Sequence, residues 1–337
     1  MKRILLYLSL TALCWNCTRD SNIAKYQTGR DHIVHVQEKI REIKIEDVLI
    51  GSWPLLYLMN NYLFISDYKS TDCQIHIFEK DTFNYVTGTA EAGRGPGEIT
   101  RMGHIAIDEE NHMFYVSDHG KQQIFGYDLD SVLAGPFYRP EVKASLNGEM
   151  FPEKYQYIND TLCIGVTIER LGNSQFNKIM AKWNMKTGTI QPMKYRHPDI
   201  ERRRITFAVS VEHGIYVEGH SYCDLMSICS LDGELIYNIY GRNWKDRMSN
   251  RTSYYEKIVF CNDKIIALYS GQDTFSENMH EALPSKFLVF DIQGNYLQTI
   301  ETGYRIVDFC HDRENNRLIM SLDDNIQFAY LELDGIV

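Results

Sequence analysis

Past residue 20 the chain has no apolar run long enough to cross a bilayer as a helix. The run at residues 4–13 holds about ten residues where a span needs about 20. The cysteines beyond position 17 are Cys73, Cys163, Cys223, Cys229, Cys261 and Cys310. They form no CxxC pair and no zinc-finger spacing, which points to small buried apolar residues rather than a redox or zinc motif. A basic excess is missing too: 35 Lys and Arg stand against 45 Asp and Glu, a formal net charge of −10. That balance excludes general nucleic-acid binding through a basic face. No HExxH occurs, and the 11 histidines are scattered. The stretch Gly219-His220-Ser221-Tyr222-Cys223 begins like a nucleophile elbow, but the second glycine is absent. No Pro/Gly/Ser-rich break divides the rest of the chain, so one large domain is favoured over two.

What is present is a repeat. At intervals of about 50 residues, two short apolar runs joined by a polar turn are followed by a third run ending in an Asp- or Gly-bearing turn. The clearest copy is "GHIAIDEENHMFYVSDHGKQQIFGYDLDS" from Gly103. This period and strand content predict an all-β, six-bladed β-propeller. The second strand of each blade is placed at residues 62–67, 113–118, 161–166, 214–219, 264–270 and 317–322. Turn clusters precede them, such as Asn60-Asn61 and Asn262-Asp263. Asn, Asp and Gly suit these hairpins because they tolerate positive φ. The sixth copy lacks a fourth strand, and an open edge there would invite aggregation. The unpartnered run "EIKIEDVLI" from Glu42 is therefore expected to close the ring, with residues 43–49 pairing beside residues 328–333.

The start of the chain, "MKRILLYLSLTALCWNCTRD", has a positive beginning and a short apolar core, as in a secretory signal. The small-residue cleavage site is missing, and the run ends at Cys14 and Cys17. That arrangement resembles a bacterial lipoprotein signal, with Cys17 as the lipidated residue and a degenerate lipobox because Asn16 precedes it. The expected organisation is a signal at residues 1–17, a polar linker at 18–40 and the propeller at 41–337. Membrane contact would come through the lipid anchor alone.

Short turns are expected on one face of the ring and long loops on the other, at residues 87–101, 137–151, 195–204, 241–254, 167–177 and 271–285. Crowded loops mark the expected binding face. The first of them carries "GRGPGE", Gly93 to Glu98. Its glycines and proline force a tight path from which Arg94 and Glu98 project. The competing reading is that these two side chains only pin the loop. The motif lacks the Lys-Ser/Thr ending of a phosphate loop.

With this loop after the first blade, a lipoprotein-like signal and six NHL- or TolB-like blades, the chain resembles the six-bladed β-propeller lipoproteins common in Bacteroidetes. The resemblance spans nearly the whole chain after the signal. It implies a cell-envelope protein that binds something, and it carries no general enzymatic function with it.

The innermost strands are expected to begin with cations: Arg101, Lys154, the run Arg202-Arg203-Arg204, Lys257 and Arg305. Such a ring would repel Ca²⁺ and attract an anion such as an acidic sugar or a carboxylate. The competing reading is that these long side chains merely reach water. Trp53, Trp244, Tyr254 and Tyr255 fall near the loop face, where sugar rings could stack. The expectation is thus a non-enzymatic binding or scaffold protein without cofactor or metal, with a propeller lactonase, hydrolase or glycan lyase as the alternative. A protein partner in the envelope is a further possibility.

Overall fold

The computed structural model describes residues 23–135, 138–146, 150–172, 175–200, 204–244, 252–273 and 283–337. Six antiparallel sheets follow one another in sequence, each running from an inner to an outer strand. Blade 1 holds Leu55–Met59, Tyr62–Ser66, Cys73–Glu79 and Tyr85–Glu91. Blade 2 holds Met102–Asp108, Met113–Asp118, Gln123–Asp128 and Glu141–Ser145. Blade 3 holds Met150–Asn159, Leu162–Gly172, Gln175–Trp183 and Ile190–Pro192. Blade 4 holds Ile205–Ser210, Ile215–His220, Leu225–Ser230 and Leu235–Tyr240. Blade 5 holds Thr252–Cys261, Lys264–Asp273, Lys286–Asp291 and Tyr296–Glu301. Blade 6 holds Ile306–Asp312, Arg317–Leu322 and Phe328–Glu332.

The hairpins form where the sequence supplies residues that accept a left-handed backbone. Asn60, Asn262 and Asn316 sit at φ 52°, 51° and 46° in the turns between first and second strands, as their short amide side chains allow. Gly233 and Gly294 do the same between third and fourth strands, at φ 84° and 78°. Each seam between neighbouring blades is filled by one apolar cluster. Phe64, Phe114 and Tyr127 fill the seam of blades 1 and 2, and Phe287, Phe309 and Leu318 that of blades 5 and 6. Full burial of each such side chain contributes roughly 1.5–3 kcal/mol. Among the described residues the six cysteines form no disulfide; five are buried and Cys73 is half-buried.

Blade 6 is completed from the N-terminal side, as expected, but two residues earlier. Arg41–Glu42 pairs antiparallel with Ala329 and Tyr330, and the Ile43 N–H donates to the Phe328 carbonyl at 2.8 Å. Residues 45–50 do not join the ladder: Ile45, Val48 and Ile50 lie over the seam of blades 6 and 1 while Leu49 is exposed. Their alternation records a crossing between blades, not a strand.

The segment expected to be a free linker is instead part of the ring over its described residues. Ala24–Tyr26 adds in parallel to the outer strand of blade 4, opposite Asn238–Tyr240. Ile33–His35 adds in parallel to blade 5, opposite Thr299–Glu301. Between them Arg30 enters the protein, where its guanidinium meets Asp224 at 3.0 Å and the Tyr255 hydroxyl at 3.2 Å. Residues 23–43 thus form a strap across three blades. Two loop expectations also change. Residues 137–151 contain the outer strand of blade 2, reached through the short helix α1, Leu129–Ala134. In blade 3, the second and third strands extend through most of residues 167–177. The expected signal and Cys17 lie outside the described residues.

Candidate functional site

The inner strands enclose an axial channel with a waist. Tyr57, His104, Phe207 and Ile258 line the space on both sides of it. At the waist the His104 Nε2 faces the Tyr155 carbonyl at 2.7 Å. That nitrogen must therefore carry the proton, which leaves Nδ1 to accept from the Tyr57 hydroxyl at 3.5 Å. Burial pushes His104 down to about 3, and the neighbouring Lys154 and Lys257 push the same way against the Tyr155 hydrogen bond. Burial, then the Asp308 charge, pushes Tyr57 up. The waist is a neutral plug.

On the loop face of this plug lies a chamber of about 370 Å³. Its cations are Lys154, Lys178, Arg204 and Lys257, and its carboxylates are Glu153, Glu256 and Asp308. Backbone bulges place them. In blade 3 the ladder skips Glu153 between Pro152 and Lys154. In blade 5 it skips Glu256 between Tyr255 and Lys257. In blade 6 it skips Val307, ahead of Asp308. Each bulge inserts a residue and re-aims its neighbours, so that in blades 3 and 5 an adjacent acid and base both line the chamber.

The lining is a set of ion pairs with two cations left over, not a ring of bare positive charge. Lys257 holds Asp308 at 2.8 Å, and Lys178 holds Glu153 at 2.6 Å. Glu256 accepts from the Ser253 hydroxyl. Arg204 contacts the Tyr222 hydroxyl at 3.2 Å and, among the described residues, no carboxylate. The Lys154 amine has no hydrogen-bond or ion-pair partner among the described residues. It is exposed to the space of the channel, yet protein surrounds it on most sides. Burial lowers its affinity for a proton; Asp308 opposes that shift, and Lys257 adds to it.

The other expected site residues lie elsewhere. Arg305 folds back on its own blade, donating from Nε to the Asp323 carbonyl at 2.8 Å and meeting Asp324 at 3.4 Å. Arg101 lines a separate cleft of about 330 Å³ beside His119, Phe151 and Glu153. Its own N–H is one of four backbone N–H groups held by Asp118, which is why an Asp ends that strand. Glu98 stays inside its loop, accepting from the Gly95 N–H at 2.6 Å. Lys121 donates to the Gly95 and Glu98 carbonyls at 2.6 and 2.7 Å. A Cβ at Gly93 would stand 2.0 Å from the Glu98 carboxylate, so glycine is required there. Arg94 is exposed on the same loop. Trp244 packs on Tyr240 at 4.5 Å beside the strap, Trp53 is exposed, and Tyr254 and Tyr255 are buried in the seam of blades 4 and 5. No aromatic platform for a sugar forms from these four. Arg202 and Arg203 lie outside the described residues.

Sequence reasoning missed Glu153, Glu256 and Asp308, as well as Lys178, Tyr57 and His104. Two of the acids were adjacent to expected cations, but strict strand alternation sends adjacent side chains to opposite faces. Among the described residues, no group of three or more His, Cys, Asp or Glu is placed to hold a metal ion. None of their helices is long and apolar enough to cross a membrane.

A family described as "6-bladed beta-propeller" matches residues 42–159. No curated protein matches the chain. Among solved structures, a member of the DUF4221 family from Bacteroides vulgatus is similar at TM-score 0.62 and 11% identity, over 88% of this chain and 98% of that one. A protein from Bacteroides fragilis, described as exported, is similar at TM-score 0.55 and 10% identity, over 92% and 98%. A gluconolactonase from Xanthomonas campestris is similar at TM-score 0.53 and 11% identity, over 84% and 86%. At such identities the likeness speaks for the fold. With the strand order and the family match, it makes this chain an all-β, six-bladed β-propeller.

Proposed function

We propose that the chain is a binding protein of the cell envelope, an NHL/TolB-like propeller lipoprotein held by a lipid on Cys17. Its loop-face chamber takes a small anionic ligand such as an acidic sugar or another hydroxylated carboxylate. One observation carries this reading: among the described residues the chamber leaves Lys154 and Arg204 without an ion-pair partner while pairing its other cations. A planar guanidinium bonds both oxygens of a carboxylate, and an adjacent ammonium adds a point charge. The paired residues and the Thr206 and Ser221 positions on the wall supply polar contacts for hydroxyl groups. Likeness to an exported protein supports the address.

Calorimetric titration of the mature domain with glucuronate, galacturonate and simple carboxylates tests the reading. Expected is salt-sensitive binding that falls at least tenfold in Lys154→Ala and in Arg204→Ala. No binding by any of these probes, or binding indifferent to both substitutions, refutes it. A second reading, lactone hydrolysis in the same chamber, draws on the fold shared with a gluconolactonase and on the three carboxylates of the wall. Turnover of a δ-lactone that falls in Glu153→Gln or Asp308→Asn would favour it.

A further inference from the structure

The ring treats its outer edges unequally. Strap strands cover the outer strands of blades 4 and 5. Blade 2 ends in Glu141–Ser145, whose charged Glu141 and Lys143 discourage pairing. Blade 3 ends in the three residues Ile190–Pro192, and Pro192 lacks an N–H. Blade 6 ends in the two charged residues Arg41–Glu42. Blade 1 differs: Tyr85–Glu91, "YVTGTAE", is seven residues long and has no Lys, no Pro and no charge before its last residue.

The register makes this edge match the two covered ones at Gly88 and Thr89, while Ala90 departs from them with a φ of 58°. In blade 4 the outer hairpin has a bulge at Ile236, and the strap pairs two to four residues later, at Asn238–Tyr240. In blade 5 the bulge falls at Leu297 and the strap pairs at Thr299–Glu301. In blade 1 the bulge falls at Val86, so the same offset reaches Gly88, Thr89 and Ala90. The Asn238 and Thr299 N–H groups donate outward to the strap carbonyls of Ile23 and His32, both at 2.7 Å. Gly88 holds their position on blade 1, and no strand lies outside it among the described residues.

A groove of about 340 Å³ runs along this edge, with every residue of the strand on one wall. The opposite side includes Pro96, Gly97 and Glu98 of the "GRGPGE" loop together with Tyr138 and Pro140. That loop closes one end, because the Ile99 N–H donates to the Glu91 carbonyl at 2.7 Å. Tyr127 also lines the groove; it is 1% exposed, and its hydroxyl has no hydrogen-bond partner among the described residues. A buried hydroxyl in that condition is a donor awaiting an acceptor.

We propose that the outer edge of blade 1 is a docking site for an extended segment of a partner protein, which adds in parallel at Gly88 and Thr89. The occupant is a peptide strand because the chain already seats two such strands in the same register on blades 4 and 5. Backbone ladder bonds supply affinity, and the groove side chains select the segment. The Gly88 N–H donates to a carbonyl of the incoming strand, and the Tyr127 hydroxyl donates to a second acceptor on it. The glycine-rich loop, braced by Glu98 and Lys121, is the end stop. This site is independent of the axial chamber.

The test is selection of displayed random 12-residue peptides on the full mature domain, followed by amide exchange of the complex by NMR. In the free protein the Gly88 amide is expected to exchange fast, while Asn238 and Thr299 are protected by the strap. With a selected peptide, Gly88 should slow at least tenfold. Val86→Lys and Thr87→Lys should each weaken the peptide tenfold or more while leaving Asn238 and Thr299 protected, which reports an intact fold. The proposal is overturned if no peptide is selected or if protection appears away from residues 86–90. A dimer that protects Gly88 without peptide, by crossing of the strap between copies, would also overturn it.

Discussion

The Lys257 ammonium lies 2.8 Å from the Asp308 carboxylate and ties the inner strands of blades 5 and 6 at the chamber wall. Asp308 also accepts the Leu56 N–H of blade 1 at 2.7 Å, so one buried carboxylate joins three blades. Asp308→Ala leaves both donors unmatched and should lower stability by about 3 kcal/mol, measured by urea unfolding. Asp308→Asn keeps an acceptor for Leu56 and should lose less. It also frees Lys257, so the same variant should bind a carboxylate more tightly at low salt. Opposite signs for stability and affinity in one substitution separate the structural role of Asp308 from the charge it withholds from the chamber.

Anion binding should weaken with rising pH earlier than an ordinary lysine would cause. The Lys154 amine gives up its proton more readily than usual, because burial and then Lys257 outweigh the pull of Asp308. The charged form binds the anion, so affinity is complete below the lowered value and falls as pH passes upward through it. Bound carboxylate should in turn raise that value, with net proton uptake on binding at alkaline pH. Titration calorimetry in two buffers of different ionisation enthalpy reads the uptake. Lys154→Arg, charged at every pH used, should bind without this decline.

Six blades and their second and third strands could be read from the chain because each is signalled locally, by Asn and Gly turns and by apolar alternation; closure of blade 6 from the N-terminal side followed from its missing fourth strand, although Arg41–Glu42 and not residues 43–49 supplies it. The strap could not. Ala24–Tyr26 and Ile33–His35 are three-residue strands whose partners stand more than 200 positions away, and nothing in so short a stretch announces a parallel neighbour. The chamber was half legible for a related reason. Lys154, Arg204 and Lys257 line the chamber, but Lys154 and Lys257 lie inside strands that begin at Met150 and Thr252, not at the strand starts expected for them, and the bulges at Glu153, Glu256 and Val307 break the alternation on which a placement from sequence relies.

Releasing the strap should open the molecule locally before it unfolds globally. The Arg30 guanidinium, 11% exposed, faces Asp224, 2% exposed, and the Tyr269 hydroxyl donates to the same carboxylate at 3.1 Å. Arg30→Met keeps the apolar stem and removes the charge, stranding a buried carboxylate at a cost of roughly 3–5 kcal/mol. Amide exchange should show Asn238 and Thr299 losing protection while core amides such as Ile266 and Met320 keep theirs. Uniform loss across all four would mean that the strap and the ring unfold as one unit.

Acid should unfold the protein partly through Asp312. Its carboxylate accepts from Arg317 Nε at 2.9 Å, from Lys80 at 3.4 Å and from the Asn315 amide at 2.9 Å, and it joins the first turn of blade 6 to the outer turn of blade 1. Burial alone would raise its pKa, but the Asn315 hydrogen bond, then Lys80 and Arg317, outweigh burial and hold it below the usual Asp range. A carboxyl depressed in the folded state stabilises the fold above its unfolded value, near 3.9. That contribution is lost as pH falls through the lower folded value. Asp312→Asn should therefore be less stable than the parent at pH 7, and the difference should shrink below about pH 4. Urea midpoints at pH 7, 4 and 2.5 measure it, and a difference that stays constant over this range would show that Asp312 acts by shape and not by charge.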